Sequence, residues 1–411
     1  MVKHSFLMST TFARERFGRP QMWAALLLAL FLGQCAWLIT HEHSGMEAIS
    51  DSDFDRVQEG MAQWHGRAIA GTPVIASPSR ELIPMHGERF DEYHSPLWYL
   101  IGSAPVTLLG ISPDHRLWLW LTRAPYVLFG VLLGASLWYV SRRLYGDFGG
   151  YIALALYCFS PTVIRNSTLW FSSPEIGAAW GAFGAVFTAI AVAHTLYAPR
   201  EVVLWNWKRI LLLGISLALA IGSHFSLVII LPLLLVFMLY VATDRKAAAV
   251  GILLASCALA FLLVFTAYFF HPRILGESFS HAKWLDVSVR ALGMPGAYRQ
   301  VIREGLASGP VLAFLVPAAL VTYAAWGRSR YFGNTAPLVV ALLFIILRIA
   351  APHDPESVFS LVAAIFLFVI VAGIAADLLE TKARELTGAV LVGLLSANAI
   401  WSVMALIRIG R

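Results

Sequence analysis

Residues 95–111 read SPLWYLIGSAPVTLLGI, and the topology of the rest of the chain turns on whether this stretch crosses a membrane. It is apolar enough to do so, but it carries Pro96 and Pro105 and is short for a bilayer core of about 30 Å. Counted as a span, it would throw Arg142 and Arg143 to the outside, against the tendency of short basic loops to stay in the cytoplasm. Counted as an interfacial or re-entrant helix on the outer face, it lets every short basic loop that follows fall on one side.

The surrounding chain is built for lipid. Of 411 residues, 59% are hydrophobic and 13% charged, with 14 Trp and a mean hydropathy of +0.72, a composition of a polytopic membrane protein. The fold class expected is all-α, with about 11 transmembrane helices at roughly 20 residues per span, in one integral domain over residues 1–411. Cys35, Cys158 and Cys257 all lie inside apolar runs, which suggests small core residues and neither disulfides nor a thiolate metal site.

The first apolar run, Trp23 to Ile39, follows Lys3, Arg14, Arg16 and Arg19 and has no small-residue cleavage site, so it reads as a retained first span. With the basic leader in the cytoplasm, residues 41–116 form a first outer loop. Spans are then expected at 117–140, 149–165, 175–197, 209–224, 225–242, 247–270, 307–326, 335–351, 357–378 and 386–408. This leaves Arg142, Arg143, Arg200, Lys208, Arg209, Arg245, Lys246, Arg328, Arg330, Lys382 and Arg384 inside. A bacterial inner membrane is the expected location, since the chain is compact and shows neither a lumenal domain nor a retention signal.

Two outer segments carry the polar chemistry. In the first, Asp51, Asp53, Asp55 and Glu59 open an amphipathic pattern of Phe54, Val57, Met61 and Trp64, which predicts a short helix on the membrane surface. Carboxylates held there suit deprotonation of an acceptor hydroxyl, or binding of a divalent metal such as Mg or Mn. They equally suit a solvated helix start that stabilises the dipole. In the second, residues 271–306, Arg273, Lys283, Arg290, Arg299 and Arg303 outnumber Glu277, Asp286 and Glu304. Outward positive charge fits either a phosphate clamp or contact with anionic headgroups, and Trp284 and Tyr298 suit an interface in both cases.

From residue 23 to 195 a series of motifs follows in order: Asp51-Ser52-Asp53, His94-Ser95-Pro96-Leu97-Trp98-Tyr99-Leu100, Arg123-Ala124-Pro125, Arg142-Arg143-Leu144-Tyr145-Gly146 and Ser160-Pro161. In this order the chain resembles the GT-C glycosyltransferases of the protein mannosyltransferase and aminoarabinose transferase type. Their usual acidic pair, His-Pro-Pro-Leu-Tyr-Tyr helix, Arg-Leu-Pro helix, Arg-Arg-Leu-Phe-Gly turn and Ser-Pro exit match these stretches. The resemblance also implies a juxtamembrane helix at the His94 motif, in agreement with the charge argument.

The resemblance implies an enzyme that transfers a sugar, with inversion, from a polyprenyl-phosphate-linked donor to a lipid, glycan or protein acceptor on the outer face. It implies a base at Asp53 or Asp51, with Asp91 and Glu92 as a second acidic pair directly before the His94 motif. Donor or phosphate contacts are expected among His94, Arg123, Arg165, Glu175, Arg273 and Arg303. The last outer turn, His353-Asp354-Pro355-Glu356, offers His353 and Glu356 at a similar place but lacks the family's aromatic and arginine pattern. A lipid phosphate is a fair leaving group, so a metal is not obligatory.

No glycine-rich phosphate loop, His-Glu-x-x-His or nucleophile elbow occurs, which argues against a cytoplasmic nucleotide-sugar site, and no nucleic-acid partner is expected. Asn166-Ser167-Thr168 is a sequon, set tight against the membrane. The rival readings are a secondary transporter or flippase and a non-catalytic envelope-assembly protein. Transport predicts ionisable or helix-breaking residues near the midplane of several spans, whereas the charges here cluster at the membrane faces.

Overall fold

A computed structural model describes residues 19–41, 51–66, 91–113, 115–168, 175–196, 207–352 and 358–409, with backbone only at residues 19 and 51–56. All regular structure among these residues is helical. Seven of the helices are long and apolar enough to cross a membrane, or eight if one bent pair is a single span. The chain is an integral membrane protein.

The first span is α1 (Arg19–His41), and the surface helix expected after it is α2 (Asp51–Trp64). The opening stretch forms α3 (Leu97–Leu109), closed by Gly110 in the left-handed region at φ 62°. At 13 residues and 1.5 Å per residue it reaches only about 20 Å, too little to cross. Helix α2 lies on α3: Trp64 Nε1 donates to the Leu100 carbonyl at 3.0 Å, and Gln63 Nε2 to the Tyr99 hydroxyl at 3.3 Å.

Helix α4 (Trp118–Cys158) is broken at Gly146, whose φ of 76° glycine alone adopts without strain. The chain doubles back there, so that the Tyr157 hydroxyl donates to the Gly130 carbonyl at 2.5 Å. The Arg142–Gly146 turn is thus the tip of a helical hairpin, as the basic motif predicts. Short α5 (Pro161–Thr168) follows, then α6 (Glu175–Thr195) and α7 (Trp207–Ser223). A 3-10 turn at Phe225–Ile229 leads into α8 (Ile230–Val241), and α9 (Lys246–Ala267) follows.

The second outer segment holds α10 (Pro272–His281), a 3-10 turn at Val289–Gly293 and α11 (Pro295–Ser308). The remaining helices are α12 (Leu312–Ala325), α13 (Phe332–Ala350), α14 (Val358–Leu379) and α15 (Arg384–Ile409).

Several expected spans differ in form, and prolines account for the breaks. The run at 149–165 is cut between Cys158 and Pro161, because a residue before proline is pushed out of the helical region. The run at 225–242 begins as a 3-10 turn ahead of Pro232, which cannot donate to residue 228. The run at 307–326 bends by 107° between α11 and α12, at Gly309-Pro310.

At the centre stands α14, buried along almost its whole length and packed against α13, α4 and α6. A helix that is apolar all round belongs where every face has a protein neighbour. Lipid gives no hydrophobic drive to helix association, so close packing holds such a bundle. One example is Gly181 of α6, which sits on the Ser216 and Ala220 backbone of α7 with no room for a side chain.

The motif residues Arg142 and Arg143 share one end of the bundle with Tyr145, Tyr331 and Asp377, where the Tyr145 hydroxyl donates to the Gly333 carbonyl at 2.6 Å. The charge pattern assigns the opposite end of the bundle, the outer end, to the outer face.

Candidate active site

The loop from Asp91 to Pro96 is organised by one carboxylate. Asp91 Oδ1 accepts from the Tyr93 and His94 backbone N–H groups at 2.9 and 3.1 Å, while Oδ2 lies 3.0 Å from His94 Nδ1. Short acidic side chains favour such turns because they reach their own backbone two residues on. The carboxylate therefore fixes both the loop and the direction of the imidazole, and His94 is buried against Trp98.

The loop is seated on the break between α7 and α8. Leaving the helix frees the Gly222 carbonyl and the Phe225 N–H, and the loop takes up both. Ser95 donates through its N–H and its hydroxyl to the Gly222 carbonyl at 3.1 and 2.7 Å, and Phe225 N–H donates to the Tyr93 carbonyl at 2.8 Å. The same break carries His224, fully buried, its ring 5.3 Å from that of His94 and nearly perpendicular to it. Burial, reinforced by His94, holds the His224 ring well below the ordinary histidine value, with Asp91 opposing weakly. His224 is therefore neutral in the folded chain.

Two further elements reach this place. The Tyr126 hydroxyl of α4 donates to the Trp98 carbonyl at 3.1 Å, and Arg123, one turn earlier, is buried. Glu175, the first residue of α6, is buried too, and Gly177 just after it faces Phe129 and Ser223. His94, Arg123, Glu175 and His224 thus come from four elements that meet at the outer end. From the second outer segment, Lys283 forms an ion pair with Glu92 and lies over the Tyr93 ring at 5.3 Å. Its N–H donates to the Glu92 carbonyl at 2.7 Å, and the Glu92 hydrogen bond raises the ammonium pKa.

Beside this polar cluster runs an apolar cavity of about 140 Å³ lined by Leu217, Ile221, Phe225, Phe261, Phe279 and Trp284, among others. Phe225 belongs to both, since its backbone holds the His94 loop and its ring packs on Trp284 at 5.1 Å.

Of the residues expected from sequence, His94, Arg123, Glu175, Asp91 and Glu92 are brought to this end, and the first three are buried. Arg165 on α5, Arg273 on α10 and Arg303 on α11 are exposed instead. Asp51 and Asp53 open α2, with side chains outside the described residues, and His353 and Glu356 lie outside them altogether. His224 was not legible as a site residue, and its only signal is a polar Ser223-His224 pair between two apolar runs. Among the described residues, no three His, Cys, Asp or Glu side chains are grouped to hold a metal ion. Asp51 and Asp53, the carboxylates expected to take Mg or Mn, have side chains outside those residues.

The fold has solved counterparts. ArnT from Cupriavidus metallidurans in the apo state superposes with a TM-score of 0.60 at 16% identity, over 92% of this chain and 63% of that one. The same protein bound to undecaprenyl phosphate gives 0.59 at 14%, over 95% and 71%. AglB, the archaeal oligosaccharyltransferase from Archaeoglobus fulgidus in complex with an inhibitory peptide and a dolichol-phosphate, gives 0.60 at 14%, over 95% and 56%.

The chain shares its fold with ArnT and AglB.

It spans 63% of apo ArnT and 56% of AglB. No family model and no curated protein matches the sequence. The resemblance read from the five ordered motifs is thus borne out at the level of the fold, including a short outer-end helix in place of a span at residues 97–109.

Proposed function

We propose that the chain is a GT-C-type glycosyltransferase that takes a sugar from a polyprenyl-phosphate donor at the outer end of the bundle. The observation that carries this reading is the buried His94–His224 pair, whose loop is held by Phe225, itself a lining residue of the apolar cavity, with Arg123 and Glu175 buried on the helices that pack there. An amphiphile with a long apolar tail and a phosphorylated head fits both halves. The neighbours bound to undecaprenyl phosphate and to a dolichol-phosphate support that donor class.

In the reaction, the acceptor hydroxyl oxygen attacks the anomeric carbon, and the bond from that carbon to the donor phosphate oxygen breaks. Its electron pair leaves with the polyprenyl phosphate, so a single displacement inverts the centre. The hydroxyl proton passes to a carboxylate, with Asp53 or Asp51 on α2 as the assigned base. Arg123 and Lys283 are assigned to the phosphate, where fixed cations stabilise charge as it develops. Arg123 is preferred over Arg273 and Arg303 because it is buried where they are exposed, and Lys283 because its ion pair with Glu92 ties it to the His94 loop. His94, aimed by Asp91, is assigned a hydrogen bond to the donor head. No step is routed through a metal, and the acceptor is a hydroxyl-bearing lipid, glycan or protein.

The test uses purified full-length chain and a photoactivatable polyprenyl phosphate, followed by a transfer assay with a panel of polyprenyl-phosphate sugars. Cross-links at Phe261 or Phe279, and transfer that is lost in a double Asp51→Ala, Asp53→Ala variant, are expected. Full transfer in that variant removes the base assignment. Absence of both cross-linking and transfer moves the reading to a transporter or scaffold.

A further inference from the structure

Helix α11 has two faces of opposite character. Towards the bundle it presents Ala297, Gln300, Glu304 and Ser308, spaced three or four residues apart and so on one side of a helix. Glu304 meets Arg348 of α13 through two hydrogen bonds of 2.6 and 2.9 Å, and it also accepts from Ser360 of α14 and from Gln300. The Arg348 Nη1 donates to the Ala351 carbonyl at 2.7 Å, and the Ser308 hydroxyl donates to Thr162 of α5 at 3.2 Å. This network sets how the helix is rotated about its axis.

That rotation leaves the other face outward. Tyr298, Ile302 and Leu306, one turn apart, are 44%, 61% and 41% exposed, and Arg299 and Arg303 lie exposed beside them. Among the described residues, neither arginine has a carboxylate within ion-pair distance. The apolar rim continues into the preceding turn through Val289 and Met294, 81% and 50% exposed. With a bend of 107° to the apolar α12, α11 lies nearly in the membrane plane when α12 runs along the normal.

We infer that α11 is an interfacial helix whose Ile302 and Leu306 enter the acyl boundary while Arg299 and Arg303 bind the headgroups of anionic phospholipids at the outer end. Charge complementarity selects this occupant. An apolar stripe flanked by unpaired guanidinium groups is the pattern of a helix lying on an anionic interface. A soluble protein partner would have no reason to meet it at the end of a span. The donor phosphate of the proposed reaction is a different ligand, since its assigned contacts, Arg123 and Lys283, are on other elements.

The experiment uses the full chain with Cys257→Ala, which leaves only the buried cysteines Cys35 and Cys158, and a nitroxide on Ile302→Cys. The labelled chain is reconstituted in phosphatidylcholine vesicles with and without phosphatidylglycerol. Relaxation by oxygen over relaxation by a water-soluble nickel chelate gives the depth of the label. The expected result is a deeper label when phosphatidylglycerol is present. The Arg299→Gln, Arg303→Gln variant should abolish that difference, the two cations together being worth about a thirtyfold preference for the anionic surface. A label as accessible to nickel as a water-exposed site, a label strongly immobilised by a second copy of the chain, or a depth indifferent to phosphatidylglycerol each overturns the inference.

Discussion

His94 and His224 stand edge to face, their ring centroids 5.3 Å apart and their planes at 88°, although they come from an outer loop and from a break between two membrane helices. One is aimed by a carboxylate at 3.0 Å, and the other is kept neutral by burial. The contact joins the first outer segment to the middle of the chain at the place where Arg123 and Glu175 are also buried.

If the His94 ring hydrogen-bonds the donor head through Nε2, His94→Ala lowers kcat by about 100-fold, the cost of losing one aimed hydrogen-bonding group. Asp91→Asn keeps the loop turn but weakens the hold on the ring, and a loss of about tenfold is expected, carried by kcat and not by KM. Steady-state kinetics with a polyprenyl-phosphate sugar check this. An Asp91→Asn enzyme with unchanged kcat sinks the assignment.

His224 predicts a pH dependence of stability. Its folded pKa is depressed, so the unfolded chain binds a proton first, near the ordinary value of about 6.5. Stability from this group is therefore complete above about pH 6.5 and is lost as pH falls through that value towards the lower folded one. Thermal unfolding in detergent should show a falling midpoint below neutrality that His224→Gln flattens. Parallel curves for the two proteins would contradict it.

The Glu304–Arg348 pair fastens α11 to the bundle. Burial raises the Glu304 pKa, but the Arg348 and Ser360 hydrogen bonds and the Arg348 charge overcome it and hold the carboxyl below its ordinary value. Its contribution is present above the unfolded carboxylate pKa and is lost as pH falls through the folded one. Glu304→Ala removes two hydrogen bonds to the buried Arg348 guanidinium, so a loss of about 2 kcal/mol is expected. Denaturation of the two proteins at neutral pH measures it, and a loss indistinguishable from zero would show that the pair is replaceable.

Gly60 is where α2 crosses α3, and a side chain there would strike the Ser103 hydroxyl and the Tyr99 carbonyl. Gly60→Val should cost roughly 1–3 kcal/mol by overpacking and lift the helix that bears Asp51 and Asp53. If α2 carries the base, transfer falls further than stability does. Transfer and unfolding measured on the same preparation separate the two, and equal activity at reduced stability would free α2 from a role in catalysis.

Much of the fold follows from local rules. Pro96, Pro105 and the positions of Arg142 and Arg143 are enough to keep residues 97–109 out of the membrane, because span length and loop charge are properties of short stretches. The Arg142–Gly146 turn and the helix beginning at Glu175 are legible for the same reason. The site is legible only in part. His94, Arg123 and Glu175 stand out as polar residues in apolar surroundings, but nothing near His224 in sequence announces that its ring meets His94.

What the sequence alone determined is the class of the chain, the grouping of the short basic loops and the order of motifs that resembles GT-C enzymes. Each of these depends on composition or on residues a few positions apart. What only the tertiary structure decided is which polar residues share a place. His224 joins His94, Arg348 finds Glu304, and Arg273 and Arg303 turn outward. A buried polar group must find its partner wherever the packing of helices brings one within about 3 Å, and that packing is a property of the whole bundle, written in no single stretch of the chain.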